Sequence, residues 1–196
     1  MKKFLTFATF LIVILSSTSK VHSIEADVFI QSVVNRAAET LGGNLNKKER
    51  IEKLKEIARE TVDIDGIGRY TLGSYKNDIT ESQMAEYKVL FREYFLKTFA
   101  SRLAEYSNPE IEVVSKKRLN KNYTMVSSVL VGTEQRPEVN IEWRVSTKNP
   151  DNLLIMNLII EGLSLARTQK EEFSSIIQSN NGDINSLFTT LKDFIK

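Results

Sequence analysis

The spacing of apolar residues predicts helices over the first part of the chain. Apolar residues recur every three or four positions at residues 26–41, and again after Asn46, as they do on the buried face of a helix. Residues 46–49, Asn-Lys-Lys-Glu, resemble a capping box at the start of the second helix. The glycines within residues 62–70 predict a short helix packed closely against its neighbours. Residues 80–83, Thr-Glu-Ser-Gln, have the pattern of a capping box and open a long helix that we expect to end near Tyr106.

Four extended segments follow, at residues 110–119, 123–132, 138–148 and 153–161. Short stretches of turn-forming residues separate them, and short connections between sequential strands predict an antiparallel meander. The third segment alternates apolar and polar residues, which predicts one buried face. The fourth is apolar at almost every position and predicts a central strand that is covered on both faces.

Two further helices are predicted at residues 164–179 and after Gly182-Asp183, again from apolar spacing. The whole pattern predicts an α+β fold. We expect a curved antiparallel sheet of about four strands, with helices from both ends of the chain packed around it.

The N-terminal 23 residues have the organisation of a secretory signal peptide. Lys2 and Lys3 precede an apolar run at residues 4–15, and small polar residues then lead to a cleavage position after Ser23. Twelve residues rise only about 18 Å as a helix, which is short of a bilayer core of about 30 Å. An uncleaved membrane anchor is the alternative. We therefore predict a cleaved signal peptide at residues 1–23 and a single exported domain at residues 24–196, located in the periplasm.

Cleavage would change both the charge and the available chemistry. Removing Lys2, Lys3 and Lys20 from the 27 basic residues leaves 24, against 25 acidic residues. The mature chain thus lacks the overall basic charge of a nucleic-acid binder. It also lacks cysteine and, without His22, histidine. These absences exclude His-based triads, cysteine nucleophiles and thiolate or imidazole metal sites.

Two local charge clusters have ordinary explanations. Asp63 and Asp65 resemble a pair of catalytic carboxylates, but they stand beside a predicted helix start, where acidic residues favour the helix dipole. Lys116, Lys117 and Arg118 form a basic cluster at the end of a predicted strand, where a solvated edge is the simpler interpretation. We predict no catalytic residues, no metal and no cofactor.

The fourth strand passes into the next helix through Glu161-Gly162-Leu163-Ser164, where glycine permits a sharp exit and serine a helix cap. This stretch resembles the Glu-Gly-Val-Ser signature of the MlaC family of toluene-tolerance, phospholipid-shuttle proteins. Other segments resemble that family's motifs in order and spacing, over roughly residues 26–192: Arg69-Tyr70-Thr71-Leu72-Gly73, Phe91-Arg92-Glu93-Tyr94, Glu142-Trp143-Arg144, Phe173-Ser174-Ser175-Ile176-Ile177 and Gly182-Asp183-Ile184-Asn185-Ser186-Leu187.

Two positions depart from the family pattern of Trp-x-hydrophobic-x-Asp in the last strand. Leu153 stands in place of the tryptophan and Asn157 in place of the aspartate. A salt bridge at Asn157 is therefore excluded, and neutral hydrogen bonds or none are expected there.

The resemblance implies a monomeric periplasmic carrier that encloses a phospholipid's acyl tails in an apolar cavity. It further implies exchange between an outer-membrane lipoprotein complex and an inner-membrane ABC transporter with a periplasmic lipid-binding subunit, which maintains outer-membrane lipid asymmetry. Candidate lining residues come from helices and strands: Tyr70, Leu72, Phe91, Phe95, Phe99, Ile141, Trp143, Val145, Ile155, Leu158, Leu163, Phe173 and Ile177. Lys97 and Arg144 are candidates for a head-group or partner contact.

Two other functions stay open from the sequence alone, namely a small α+β enzyme and a periplasmic chaperone that binds apolar peptide. A closed core and a lipid cavity have the same apolar periodicity, so the pattern itself does not separate them.

Overall fold

The fold is described from a computed structural model, which covers residues 24–107 and 109–196. The predicted signal peptide lies outside the described residues. Within them the chain forms six α-helices and a five-stranded sheet. In chain order these are α1 (Ala26–Gly42), α2 (Lys47–Thr61), α3 (Ile64–Thr71), α4 (Glu81–Leu103), β1 (Ile111–Arg118), β2 (Tyr123–Leu130), β3 (Val139–Ser146), β4 (Leu154–Ile160), β5 (Leu163–Ser164), α5 (Leu165–Ser179) and α6 (Ile184–Ile195).

The predicted antiparallel meander is confirmed. The strands lie in the order β1-β2-β3-β4-β5, and every neighbouring pair is antiparallel. Residues in β2 alternate regularly between half-buried and buried, and in β3 the predicted inward residues Ile141, Trp143 and Val145 are buried. The sheet thus presents one apolar face to the helices.

A fifth strand of two residues, β5, adds to the four that were predicted. Glu161 (φ 49°) and Gly162 (φ 79°) both adopt the left-handed conformation, so the chain turns back within two residues. Ile159 then pairs with Ser164, and Ile160 with Leu163. The sequence prediction placed a simple exit from the sheet here, because two residues are too few to show a strand pattern.

The position of β4 differs from a fully covered central strand. Of its seven residues only Ile155 is buried, and the others are half-buried. Its outer edge is covered at two points: the amide of Asp63 donates to the carbonyl of Ile155 at 3.0 Å, and β5 pairs with the far end. Between those points, Asn157 and Leu158 face a space between the sheet and the helices.

Both predicted capping boxes are present. Asn46 and Glu49 exchange side-chain and backbone hydrogen bonds at the start of α2, and Thr80 and Gln83 do so at the start of α4. Helix α4 ends at Leu103, three residues before the predicted end, since the following residues form a turn ahead of Pro109.

The short helix α3 packs closely on α4, as its glycines predicted. A methyl group at Gly68 would lie 2.6 Å from Cδ1 of Phe91. Nearby, the fully buried Tyr87 shares a 2.8 Å hydrogen bond with the Thr71 hydroxyl and donates to the Gly68 carbonyl at 3.2 Å. Burial raises the pKa of Tyr87, so this side chain is a neutral part of the core.

No helix within the described residues is long and apolar enough to cross a membrane.

The basic cluster at the end of β1 is partly neutralised, since the Lys116 ammonium contacts the carboxylates of Glu25 at 2.9 Å and Asp27 at 2.8 Å. This pairing fastens the start of α1 to the edge of the sheet.

Candidate functional site

A cavity of about 230 Å³ lies between helices α4 and α5 on one side and strands β3 and β4 on the other. Apolar side chains dominate its lining, and polar groups gather along one side. The lining residues are Val62, Ile67, Phe91, Tyr94, Phe95, Thr98, Phe99, Arg102, Trp143, Ile155, Asn157, Leu158, Leu165, Ala166, Thr168, Gln169 and Glu172.

Three phenylalanines on α4 form an aromatic row along the cavity. Phe91, Phe95 and Phe99 are spaced four residues apart and therefore point the same way from successive turns. The rings of Phe95 and Phe99 are stacked at 5.5 Å, and those of Phe91 and Phe95 lie 6.1 Å apart. The row offers a continuous apolar surface with the length of two helical turns.

The opposite wall comes from the sheet. Ile155 and Leu158 lie on β4, and the indole of Trp143 projects from β3. The Trp143 Nε1 donates a 2.8 Å hydrogen bond to the buried hydroxyl of Ser128 on β2. The polar atom of the indole is therefore satisfied within the sheet, and the ring presents an apolar surface to the cavity.

The polar side of the cavity lies where α4 meets α5. The Tyr94 hydroxyl donates to Oε1 of Gln169 at 2.9 Å, and Nε2 of Gln169 donates to the Glu172 carboxylate, also at 2.9 Å. Burial raises the pKa of Tyr94, and the negative charge of Glu172 raises it further. Tyr94 is thus a neutral hydrogen-bond donor that joins the two helices across the cavity wall.

The junction between sheet and α5 depends on Asn157. Its Nδ2 donates to the Ser164 hydroxyl at 2.9 Å, and its Oδ1 accepts from the amide of Ala166 at 3.2 Å. Ser164 in turn caps α5 by accepting from the amide of Arg167 at 3.3 Å, as its position predicted. Asn157, which stands in place of the family's aspartate, therefore makes neutral hydrogen bonds instead of a salt bridge.

The structure brings together six of the thirteen predicted lining residues. These are Phe91, Phe95, Phe99, Trp143, Ile155 and Leu158. Five others, Leu72, Ile141, Val145, Phe173 and Ile177, are buried in the core and do not line this cavity. They share the apolar periodicity of the lining residues, but their neighbours fill the space around them.

Tyr70 and Leu163 lie on the surface instead of in the cavity. Leu163 is 59% exposed, because the tight turn at Gly162 directs it away from the helices. Tyr70 is 47% exposed and lies in a polar surface groove, with the Lys170 ammonium 5.7 Å from its ring centroid. Both are candidate lining residues from the sequence, and neither lines this cavity.

Neither predicted head-group contact lies at the cavity. The Lys97 ammonium donates to the Phe194 carbonyl at 2.8 Å and lies 5.5 Å from the centroid of that ring, at the end of α6. Arg144 is exposed on β3, opposite Asn157. A contact with a partner stays a prediction for both.

Sequence reasoning missed the polar side of the cavity and the part of its apolar lining that lies near α3 and the start of α5. Tyr94, Thr98 and Arg102 repeat every four residues, in parallel with the phenylalanine row, and this spacing was the available signal. The apolar lining is completed by Val62, which lies between α2 and α3, by Ile67 on α3, and by Leu165 and Ala166 on α5. They carried no signal that distinguishes them from ordinary core residues.

The two acidic residues near α3 have structural partners. The Asp63 carboxylate caps the helix by accepting from the amide of Gly66 at 3.0 Å, and Asp65 contacts Arg92 at 2.7 Å. Over residues 24–107 and 109–196, no cluster of three or more acidic, histidine or cysteine side chains has the arrangement of a metal site.

Comparison with known proteins gives results consistent with this architecture. A solved phospholipid-binding protein from Ralstonia solanacearum, in complex with a phospholipid, matches with a TM-score of 0.73 at 19% identity. The match covers 88% of this chain and 97% of that one. At this identity the likeness establishes the α+β fold.

A relative in sequence is also found. The chain is 24% identical over 143 residues to the toluene tolerance protein ttg2D of Pseudomonas putida, a match that covers 68% of this chain. The chain spans 62% of the length of that relative. The family model described as MlaC protein matches residues 30–193, almost the whole of the described chain. The chain therefore belongs to the MlaC family.

Proposed function

We propose that the protein is a phospholipid carrier that encloses acyl tails in the cavity between α4, α5 and the β3–β4 face. The observation that carries this proposal is the aromatic row of Phe91, Phe95 and Phe99 facing Trp143 and Leu158 across an open space. Membership of the MlaC family supports lipid binding. The Ralstonia solanacearum protein of the same fold was solved with a phospholipid bound.

The energetics of lipid transfer favour such a cavity. Two acyl chains contain about 30 methylenes, each worth about 0.8 kcal/mol on leaving water, so the total is on the order of 20 kcal/mol. A carrier must hide nearly all of that surface to move a lipid through an aqueous space. Charge interactions at the surface, worth about 1 kcal/mol or less each, cannot substitute for it.

The cavity must widen to hold two tails. Its volume of about 230 Å³ is below the range of about 300–1,000 Å³ typical of sites for ligands much smaller than a diacyl lipid. Between the contact at Ile155 and the β5 hairpin, the outer edge of β4 has no strand partner among the described residues, and widening can occur there. We propose that α4 and α5 move away from this part of β4 during loading.

We further propose the shuttle role that the family resemblance implies. Residues 1–23 are a signal peptide, and residues 24–196 form a single lipid-binding domain that acts as a monomer in the periplasm. Its partners are an outer-membrane lipoprotein complex and an inner-membrane ABC transporter with a periplasmic lipid-binding subunit. Lipid exchange between them maintains outer-membrane lipid asymmetry. N-terminal sequencing of the exported protein tests signal-peptide cleavage, with Ile24 as the expected first residue.

We propose that no catalysis accompanies binding and that no cofactor besides the bound lipid is used. Residues 24–196 contain neither histidine nor cysteine, and Asp63 and Asp65 are engaged in a helix cap and an ion pair. A catalytic or peptide-binding role for the cavity is the alternative, and the experiment below separates it from lipid carriage.

A transfer assay tests the function directly. Donor liposomes carry a fluorescent diacyl phospholipid with a quencher, and acceptor liposomes lack both, so that lipid transfer raises the fluorescence. The purified protein is expected to accelerate transfer in proportion to its concentration. A rate equal to that of liposomes alone, together with release of a lipid hydrolysis product or capture of peptide, would favour the alternative functions.

A further inference from the structure

Helix α4 presents a second row of side chains to the cavity, parallel to the phenylalanine row. Tyr94, Thr98 and Arg102 are spaced four residues apart and all line the cavity. Tyr94 and Thr98 are half-buried, whereas Arg102 is exposed. The row therefore runs from a hydrogen-bonded phenol inside to a cationic group at the surface. Below, "polar row" means these three residues.

Thr98 holds an unsatisfied hydroxyl in the middle of the polar row. Its Oγ1 is inaccessible to solvent and has no hydrogen-bond partner among the described residues. The hydroxyl lies close enough to Tyr94 to lower the pKa of that phenol, but the two groups do not meet hydrogen-bond geometry. A buried hydroxyl without a partner is unfavourable, so Thr98 favours a ligand group that can accept its hydrogen bond. Because Oγ1 is covered while the cavity is narrow, the ligand group reaches it when α4 and α5 move apart during loading.

Arg102 supplies a cation at the outer end of the polar row. It forms no ion pair within the parts of the chain that the structure describes, and its positive charge lowers the pKa of Tyr94. The acidic residue that α5 contributes to the cavity lining, Glu172, accepts from Gln169 instead of contacting Arg102. Thr98 and Arg102 are one helical turn apart, a rise of about 6 Å along the axis.

We propose that the polar row binds the glycerol-ester and phosphate part of a diacyl glycerophospholipid, with an ester carbonyl at the Thr98 hydroxyl and the phosphate at Arg102. A carbonyl accepts from a hydroxyl, and a guanidinium is the side chain best suited to phosphate. A glycerol unit separates these lipid groups by a few bonds, a span comparable to one helical turn. The tails then lie along the phenylalanine row. This inference rests on the proposed function and assigns its ligand a chemical class and an orientation.

Competition between matched lipids tests the ester contact. The protein is offered equal amounts of a diacyl phosphatidylglycerol and its dialkyl ether analogue of equal chain length, and the bound ratio is measured by native mass spectrometry. The wild type is expected to prefer the ester about two- to tenfold, which corresponds to the net free energy of one hydrogen bond. Thr98→Val, which keeps the shape and loses the hydroxyl, is expected to bind both equally. Thr98→Ser is expected to restore the preference.

A second competition tests the phosphate contact. The pair is diacyl phosphatidic acid and the uncharged diacylglycerol with the same tails. Arg102→Gln is expected to lower the preference for the phosphate lipid about three- to tenfold while leaving the ester preference intact. The matched control is Lys88→Gln, which removes an exposed charge from α4 outside the cavity and is expected to change neither ratio. Thermal unfolding of each variant confirms that it is folded.

The outcomes separate this inference from the proposed function. Suppose that the protein takes up lipid but that the ester-to-ether and phosphate-to-uncharged ratios are the same in wild type, Thr98→Val and Arg102→Gln. This result would overturn the proposed role of the polar row and leave the carrier function intact. Loss of both lipid preferences in the Lys88→Gln control would also overturn the role of the polar row, because it would show a nonspecific charge effect. No uptake of any lipid by the wild type would overturn the carrier function and the inference together.

Discussion

The hydroxyl of Tyr94 on α4 donates a 2.9 Å hydrogen bond to Oε1 of Gln169 on α5. This bond joins the two helices across the cavity wall at the point where the aromatic surface gives way to polar groups. Under the proposed function this wall parts to admit two acyl tails, and a neutral, partly buried hydrogen bond holds it closed.

Tyr94→Phe is expected to loosen the cavity wall and leave the fold intact. Loss of one partly buried hydrogen bond lowers the free energy of unfolding by about 0.5–1.5 kcal/mol. Because the bond spans the wall, exchange of bound lipid should become faster in the variant. Urea denaturation measures the first effect and fluorescent-lipid exchange the second. Tyr106→Phe is the control, because Tyr106 is exposed and outside the cavity; exchange accelerated equally by both variants would contradict the role of Tyr94.

Glutamate substitutions distinguish the cavity from the core. Leu158→Glu places a carboxylate at the half-buried cavity wall, where it can reach the open space, so the variant is expected to fold and lose lipid. Ile177→Glu places the same charge at a fully buried position and is expected to prevent folding. Circular dichroism measures folding, and lipid extraction measures occupancy. A folded Leu158→Glu variant with unchanged occupancy would place Leu158 away from the lipid.

Trp143 is the one tryptophan of the chain, and it lines the cavity. Its fluorescence is therefore expected to report lipid entry directly, with a blue shift and quenching by a brominated acyl chain. The Trp143→Phe variant should give no such signal and should still bind lipid, since phenylalanine keeps the wall apolar. Absence of quenching in wild type that carries a brominated lipid would contradict the placement of tails beside β3.

Because α3 and α4 pack closely at Gly68, a larger residue there is expected to displace the Phe91 ring and reduce the cavity volume. In Gly68→Ala the new methyl group would lie 2.6 Å from a ring carbon of Phe91, so this ring must shift. Overpacking of this kind lowers stability by about 1–3 kcal/mol. Phe91 lines the cavity, so lipid occupancy should fall as well. The double variant Gly68→Ala/Phe91→Leu is expected to recover part of both, as measured by thermal unfolding and lipid extraction.

The sequence predicted the elements more completely than the site. Capping residues such as Asn46 and Thr80 are local signals that act through adjacent backbone amides, and the helices begin where they indicate. The alternation in β3 likewise predicted its buried face, because period two along a strand allows few alternatives.

The lining of the cavity could be predicted only in part. Ile177 and Leu158 are both apolar and correctly spaced, yet one is enclosed by neighbours and the other faces open space. That difference depends on residues distant in sequence, which periodicity does not report. Leu163 shows a second limit, since one tight turn at Gly162 reverses the chain and moves the side chain to the surface.

Native mass spectrometry of residues 24–196, purified from cells without detergent, tests the central claim most directly. The carrier account predicts a stoichiometric adduct with the mass of a diacyl phospholipid, which dissociates into head-group and acyl fragments. It also predicts that the Leu158→Glu variant is free of this adduct. A wild-type protein without any lipid adduct, and without uptake from phospholipid liposomes, would contradict the account.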